Sequence, residues 1–384
     1  MEQYSKFKNG KELIFLLFFC CNIFMNGCQS AEQHPTLSTI EVDIASNGEL
    51  KLSEYFENFR MLKLPTDSVM GEIQKIQYEN NKIYVSDGKT MFIFSDEGQL
   101  LSCFNKIGRG PGEYTGITDF VVNGETITVL NRQRLLTYNQ YGENISTLNL
   151  DFGVMSISPI VDNAYFLYCG NFANDKNQHI LHKVRDGQEN ERFLPIDEHR
   201  AKYLFFFGFH PFYLHQDFVY FFDIFNDTVY VSSDKGIEPY FYIDYKGKNV
   251  PASFFKRNYA DIAVFMTEFH KTSYAYGVLD FVLYDRFLMF CSRYQQNRKL
   301  TVFDRKNKKS NTFATIKDDV YFNGLTIPVS DFKYQADKRI FVPLDAFDVF
   351  EWRKKHPPAE QFKGMVNATK EEDNPLLLIF DFKQ

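Results

Sequence analysis

An all-β fold, a six-bladed β-propeller with two short helical insertions, is what the sequence predicts, and three observations predict it. Short strand patterns recur at a spacing of about 40–50 residues, which is the length of a propeller blade. Each copy keeps the same element order and the same turn position. The aromatic supply, 42 Phe and 23 Tyr against 1 Trp, is chosen for bulk and β-propensity, as sheets packed face to face require. Composition then narrows the class. With 44% apolar and 24% charged residues, the chain is ordinary globular material that can bury a large core. Only 21 Gly and 13 Pro in 384 residues exclude collagen-like and low-complexity chains. Six Cys are too few for a disulfide-stapled scaffold of this length. A net charge of −6 speaks against a general nucleic-acid binder, which carries a basic footprint.

The first element is an address. Lys6, Lys8 and Lys11 precede the apolar run Leu13-Ile14-Phe15-Leu16-Leu17-Phe18-Phe19-Cys20-Cys21-Asn22-Ile23-Phe24-Met25, and small residues follow. A basic start and a short apolar run have signal-peptide proportions, and a spanning helix needs roughly 20 apolar residues. Residues 1–27 therefore read as a signal. Cys28, after Gly27, is the lipidation candidate and the membrane attachment, although Met25 and Asn26 depart from the usual lipobox residues. Residues 28–36 read as a tether, and residues 37–384 as the propeller. Cys103, Cys169 and Cys291 fall in apolar strand patterns and read as buried thiols.

Within the propeller, residues 39–44 alternate as a strand does. The first copy runs Lys82-Ile83-Tyr84-Val85-Ser86-Asp87, Met91-Phe92-Ile93-Phe94, a turn at Asp96-Glu97-Gly98, then Leu100-Leu101-Ser102-Cys103-Phe104. The second repeats it with Ile127-Thr128-Val129-Leu130-Asn131, Leu135-Leu136-Thr137-Tyr138, a turn at Gly142 and Ile145-Ser146-Thr147-Leu148. Further copies open at Phe166, Val219, Leu288 and, more degenerately, Ile340. Residues 253–271 carry apolar residues at Phe255, Tyr259, Ile262, Met266 and Phe269, which is helical spacing with Ser253 as a cap. Residues 358–370 form the second predicted helix. The last apolar run, Leu376-Leu377-Leu378-Ile379-Phe380, comes too late to start a blade. A ring must pair its terminal edges, so an N-terminal strand, with residues 39–44 the segment in view, is expected beside the C-terminal one.

Cys28, the run Phe104-Asn105-Lys106-Ile107-Gly108-Arg109-Gly110-Pro111-Gly112-Glu113-Tyr114 and Glu371-Glu372-Asp373-Asn374-Pro375-Leu376 together resemble the six-bladed β-propeller lipoproteins of Gram-negative gut anaerobes, which are similar to NHL-repeat and TolB-like propellers. The resemblance implies the fold and a cell-envelope location, with a lipid anchor in the outer membrane on its periplasmic or surface face. It implies no settled reaction.

Blade topology places the b–c loops and the connections between blades at one end of the ring. The candidate ligand-binding residues at that end are Arg109, Glu113 and Tyr114 in the Gly-rich connection, with Asp87, Asn131, Asp223, Arg293 and Asp345 at the ends of second strands. Loops on a rigid scaffold are the usual place for such residues. The Arg109 guanidinium suits a carboxylate or phosphate; the alternative is a structural turn in which Arg109 and Glu113 brace neighbouring blades. No helix follows the glycines and no Gly-Lys-Ser/Thr occurs, so a phosphate-binding P-loop is dismissed. His179 and His182, three apart on a strand, fall on opposite faces and suit a metal poorly. His210 could enter the channel mouth. No catalytic triad, zinc motif or cofactor motif occurs, and Ca²⁺ enters only if Asp87, Asn131, Asp223 and Asp345 converge. The expected role is a binding module for a glycan, peptide or protein partner, without nucleic acid. The alternatives are a propeller-type lyase, lactonase or hydrolase with a metal or acidic site, and a structural scaffold.

Overall fold

A computed structural model of the chain describes residues 37–160, 164–185, 188–203, 210–233, 236–322, 324–329, 334–336 and 338–383. The signal segment, Cys28 and the tether lie outside these residues. Six sheets form the blades of a propeller ring. Blade 1 runs outward from the axis as Lys75–Glu79, Lys82–Ser86, Thr90–Ser95 and Leu100–Asn105. Its second and third strands lie between neighbouring blades and are buried almost throughout, whereas the outer strand alternates. Strands covered on both faces read as continuous apolar runs, which is why the repeat shows in the sequence. The inner strands of the next blades are Asp119–Asn123, Ser156–Ile160, Phe212–His215, Ala275–Tyr284 and Tyr334–Ala336, and they line the axis.

The N-terminal segment is a belt around the rim. Strand β1 (Ser38–Glu41) pairs parallel with the outer strand of blade 4, Gly236–Asp244, and β2 (Gly48–Lys51) pairs parallel with that of blade 5, Lys309–Asp318. After one helical turn, α1 (Leu52–Tyr55), strand β3 (Phe56–Lys63) pairs antiparallel with the C-terminal strand Leu376–Phe382. The strand beside the C-terminal one is thus β3, and the segment expected there lies on blade 4. Two features explain the shift. Ile40, Val42 and Ile44 bury their side chains in the core that blades 4 and 5 share, so this segment is already spent on the rim. The Phe56 ring meets Phe380 and Phe382 at 4.7 and 5.0 Å, which fixes β3 at the closure.

Ion pairs lock the seam between blades 6 and 1. Asp96, in a turn of blade 1, accepts two hydrogen bonds from Arg60 of β3, at 2.8 and 3.0 Å, and one from Arg339 of blade 6, at 2.9 Å. Arg339 also bonds Asp381 at 3.2 Å and lies 4.8 Å from the centre of the Tyr78 ring. The Arg60 hydrogen bonds, with the charges of Arg60 and Arg339, hold the Asp96 carboxyl below the usual carboxylate range. A depressed pKa contributes stability above the unfolded value, about 3.9, that is lost as pH falls through the folded value. Asp96→Asn is therefore expected to flatten the fall in melting temperature between neutral and strongly acid pH. Parallel acid curves for wild type and variant would contradict this.

The helices differ from expectation in detail. The predicted helix at 253–271 is two pieces, α2 (Ala252–Phe255) and α3 (Ile262–His270), and the cap of α3 is Asp261, which accepts from the Val264 amide at 2.8 Å. The break lets Phe255, Phe265 and Phe269 all reach Phe225, at 5.4, 5.9 and 5.7 Å. A helix not anticipated, α4 (Ala346–Trp352), precedes the expected one, α5 (Glu360–Ala368). Cys169 and Cys291 are buried, but Cys103 is exposed on the outer strand of blade 1. The rings of His179 and His182 meet edge to face at 6.3 Å, because His179 sits at the first position of its strand.

Candidate functional site

The Gly-rich connection closes on itself. The Gly108 amide donates to the Tyr114 carbonyl and the Tyr114 amide to the Lys106 carbonyl, both at 2.9 Å. Tyr114 lies fully buried beneath the loop, where its hydroxyl donates to the Lys89 carbonyl at 2.8 Å and accepts from the Lys106 amide at 3.2 Å. Burial pushes this phenol up to about 12, so it stays a neutral donor. Glu113 folds back to accept from the Gly110 amide at 2.7 Å, and its carbonyl accepts from Arg134. A Cβ on Gly108 would stand 2.0 Å from that carboxylate. Gly112 has φ +67°, and its Cβ would stand 2.9 Å from that of Asn144. The left-handed backbone costs an L-residue about 1–2 kcal/mol. Gly112→Ala should therefore lower the unfolding free energy by at least that much, read as a lower denaturant midpoint, and an unchanged midpoint would contradict the steric account. Of the three residues expected to line a mouth here, Arg109 alone is exposed.

The second-strand ends are likewise occupied locally. Asp87 accepts from the amides of Lys89, Thr90 and Gly71, at 2.9, 2.7 and 3.1 Å. Asn131 donates to the Gly116 carbonyl at 2.9 Å, and Asp223 accepts from the Tyr168 hydroxyl at 2.8 Å. Asp345 caps α4 by accepting from the Phe347 amide at 2.8 Å. Arg293 stands opposite Tyr276 in the sheet of blade 5. Asp87, Asn131, Asp223 and Asp345 thus serve their own blade or the link to a neighbouring one. Among the described residues no group of three or more His, Cys, Asp or Glu side chains could hold a metal.

The axis holds a different site, a cavity of about 370 Å³ lined by the inner strands. Blade 1 contributes an alternating ladder, Lys75, Gln77 and Glu79. The Lys75 ammonium donates to the Asp119 carboxylate and the Phe120 carbonyl, both at 2.7 Å. The Gln77 amide donates to the Val122 carbonyl at 3.2 Å and accepts from the Val122 amide at 3.0 Å. These two side chains thereby satisfy the open edge of blade 2's inner strand, which no further strand pairs. Asp119 is buried, and its other oxygen accepts from the Ser156 hydroxyl and from the Ile157 amide at 3.0 Å. Burial alone would raise the Asp119 carboxyl; the Lys75 and His210 charges and the hydrogen bonds outweigh it and lower the pKa.

Glu79, the last rung, makes no hydrogen bond or ion pair with any described residue, and burial pushes its carboxyl above the usual range. Across the cavity Asp280 sits in a left-handed conformation, φ 52°, and its carboxylate accepts from Arg298 at 2.7 Å. Aspartate is among the few side chains that tolerate this backbone. His210, whose Nε2 lies 3.3 Å from the Gln74 carbonyl, His215, Tyr213, Ser158 and Gln216 add further polar groups to the lining. Sequence reasoning singled out His210 and missed the ladder. The available signal was the alternation Lys-Ile-Gln-Tyr-Glu at 75–79, polar on one side, immediately before the first recognised hairpin.

Comparison with a solved structure supports the architecture. A protein of Bacteroides fragilis NCTC 9343 described as exported is similar with a TM-score of 0.71 and 17% identity, over 91% of this chain and 100% of that one. BamB of Moraxella catarrhalis is similar with a TM-score of 0.41 and 8% identity, over 85% of this chain and 99% of that one. No curated protein matches the chain. The model of the family DUF4934, a domain of unknown function, matches residues 37–381, nearly the whole propeller, and the chain belongs to that family.

Proposed function

We propose that the chain is an extracytoplasmic binding module, tethered to the outer membrane through lipidated Cys28, that takes a small ligand in its axial cavity. The cavity carries this reading. Its volume, about 370 Å³, lies at the lower end of the about 300–1,000 Å³ typical of small-molecule sites. Its lining mixes aromatic and apolar walls with a few convergent polar groups, as such sites do. The signal-like segment before Cys28 and the exported character of the Bacteroides fragilis protein support the location. Two acyl chains anchor stably where one does not.

The test is a calorimetric screen of small sugars, amines and short peptides against the full chain in detergent. Leu214, which lines the cavity and is 40% exposed, is replaced by Trp to fill it. Leu214→Trp is expected to abolish binding, whereas Arg109→Ala/Glu113→Ala in the Gly-rich loop should leave it intact. The reverse pattern would move the site to the loop face. For the anchor, labelled palmitate should enter the wild type and not Cys28→Ala; label retained by the variant would refute it.

A further inference from the structure

We infer that the ligand of the axial cavity carries a protonated amine, which Glu79 receives. The inference rests on the cavity being the binding site. Charge pairing along the lining leads to it. Lys75 is neutralised by Asp119 at 2.7 Å, and Asp280 is paired with Arg298 at 2.7 Å. Glu79 lines the same cavity, and its carboxylate has no hydrogen-bond or ion-pair partner among the described residues. A partly buried carboxylate with no partner is costly, and the cost falls when it takes up a proton or receives a cation. Burial already shifts the Glu79 carboxyl toward its protonated form.

Three observations select an organic ammonium among cations and against anions. Among the described lining residues Lys75 is the one lysine, and it is held by both Asp119 and the Phe120 carbonyl. Swinging it toward Glu79 would leave Asp119 buried without its lysine partner. For the same reason Lys75 is not free to receive an anionic ligand. A metal ion needs several converging ligands, and among the described residues no such group exists. Phe212 and Tyr213 also line the cavity, and aromatic ring faces attract an organic cation.

Glucosamine and glucose, which differ by an ammonium for a hydroxyl, test this by calorimetry on the full chain, with glucuronate as the anionic arm. Glucosamine is expected to bind roughly tenfold tighter than glucose, as a charge-assisted hydrogen bond allows, and glucuronate weakest. Glu79→Gln should erase the preference, and Glu79→Asp should restore part of it. Because the Glu79 side chain makes no bond to a described residue, neither variant should melt below the wild type. Equal or tighter binding of glucose or glucuronate, no glucosamine binding, or a preference that survives Glu79→Gln overturns the inference. Glucosamine binding that persists in Leu214→Trp overturns the cavity reading itself.

Discussion

Removal of residues 37–63 is expected to lower the melting temperature by roughly 10 °C or more, because Phe56 alone should contribute about 3–5 kcal/mol when truncated. The segment does two jobs. Strand β3 is the fourth strand of blade 6, and without it Leu376–Phe382 becomes an open edge. An uncovered apolar edge is both less stable and prone to pair with another chain. The same deletion removes Arg60, leaving Asp96 with Arg339 as its remaining cation in the seam. Removing residues 37–47 alone takes away β1 but spares β3, and should cost much less. Equal losses for the two deletions would mean that the belt, not the closure, stabilises the ring; an unchanged melt for the longer one would mean neither does.

The blades were legible in the sequence because their middle strands are buried on both faces. Ile83-Tyr84-Val85 and Met91-Phe92-Ile93-Phe94 are apolar runs joined by a tight turn, and each is a local signal. The closing strand was not, for two physical reasons. Asn58 adopts a left-handed conformation, φ 55°, and the register with the C-terminal strand slips beside it, so the alternation of 56–63 is broken. Its partner also lies more than 300 residues away, and no local pattern encodes such a pairing. The Gly-rich loop was conspicuous for a steric reason, since Gly108 and Gly112 stand where a Cβ would collide or strain. Conspicuous residues need not be the ligand's. Lys75, Gln77 and Glu79 drew no notice because a short half-polar strand looks unremarkable until the ring turns it toward the axis.

Asp119→Ala is expected to cost about 3–5 kcal/mol, the range for removing one partner of a buried pair. The loss is larger than one ion pair suggests. The Lys75 side chain, 17% exposed, would keep its charge with only the Phe120 carbonyl and ring beside it, and the Ser156 hydroxyl and Ile157 amide would lose their acceptor. Lys75→Met in the same chain removes the stranded charge, so the double variant should be less destabilised than the sum of the singles. Strict additivity would show that the two side chains do not interact. The pH dependence supplies an independent reading. The folded Asp119 pKa is depressed, so its contribution is present above about pH 4 and fades as pH falls through the folded value; Asp119→Ala should lose that part of the acid sensitivity. This brace joins the inner strands of blades 1, 2 and 3 at the cavity wall. Relaxing it should therefore weaken ligand binding as well as stability, whereas Gly112→Ala in the loop should weaken stability alone.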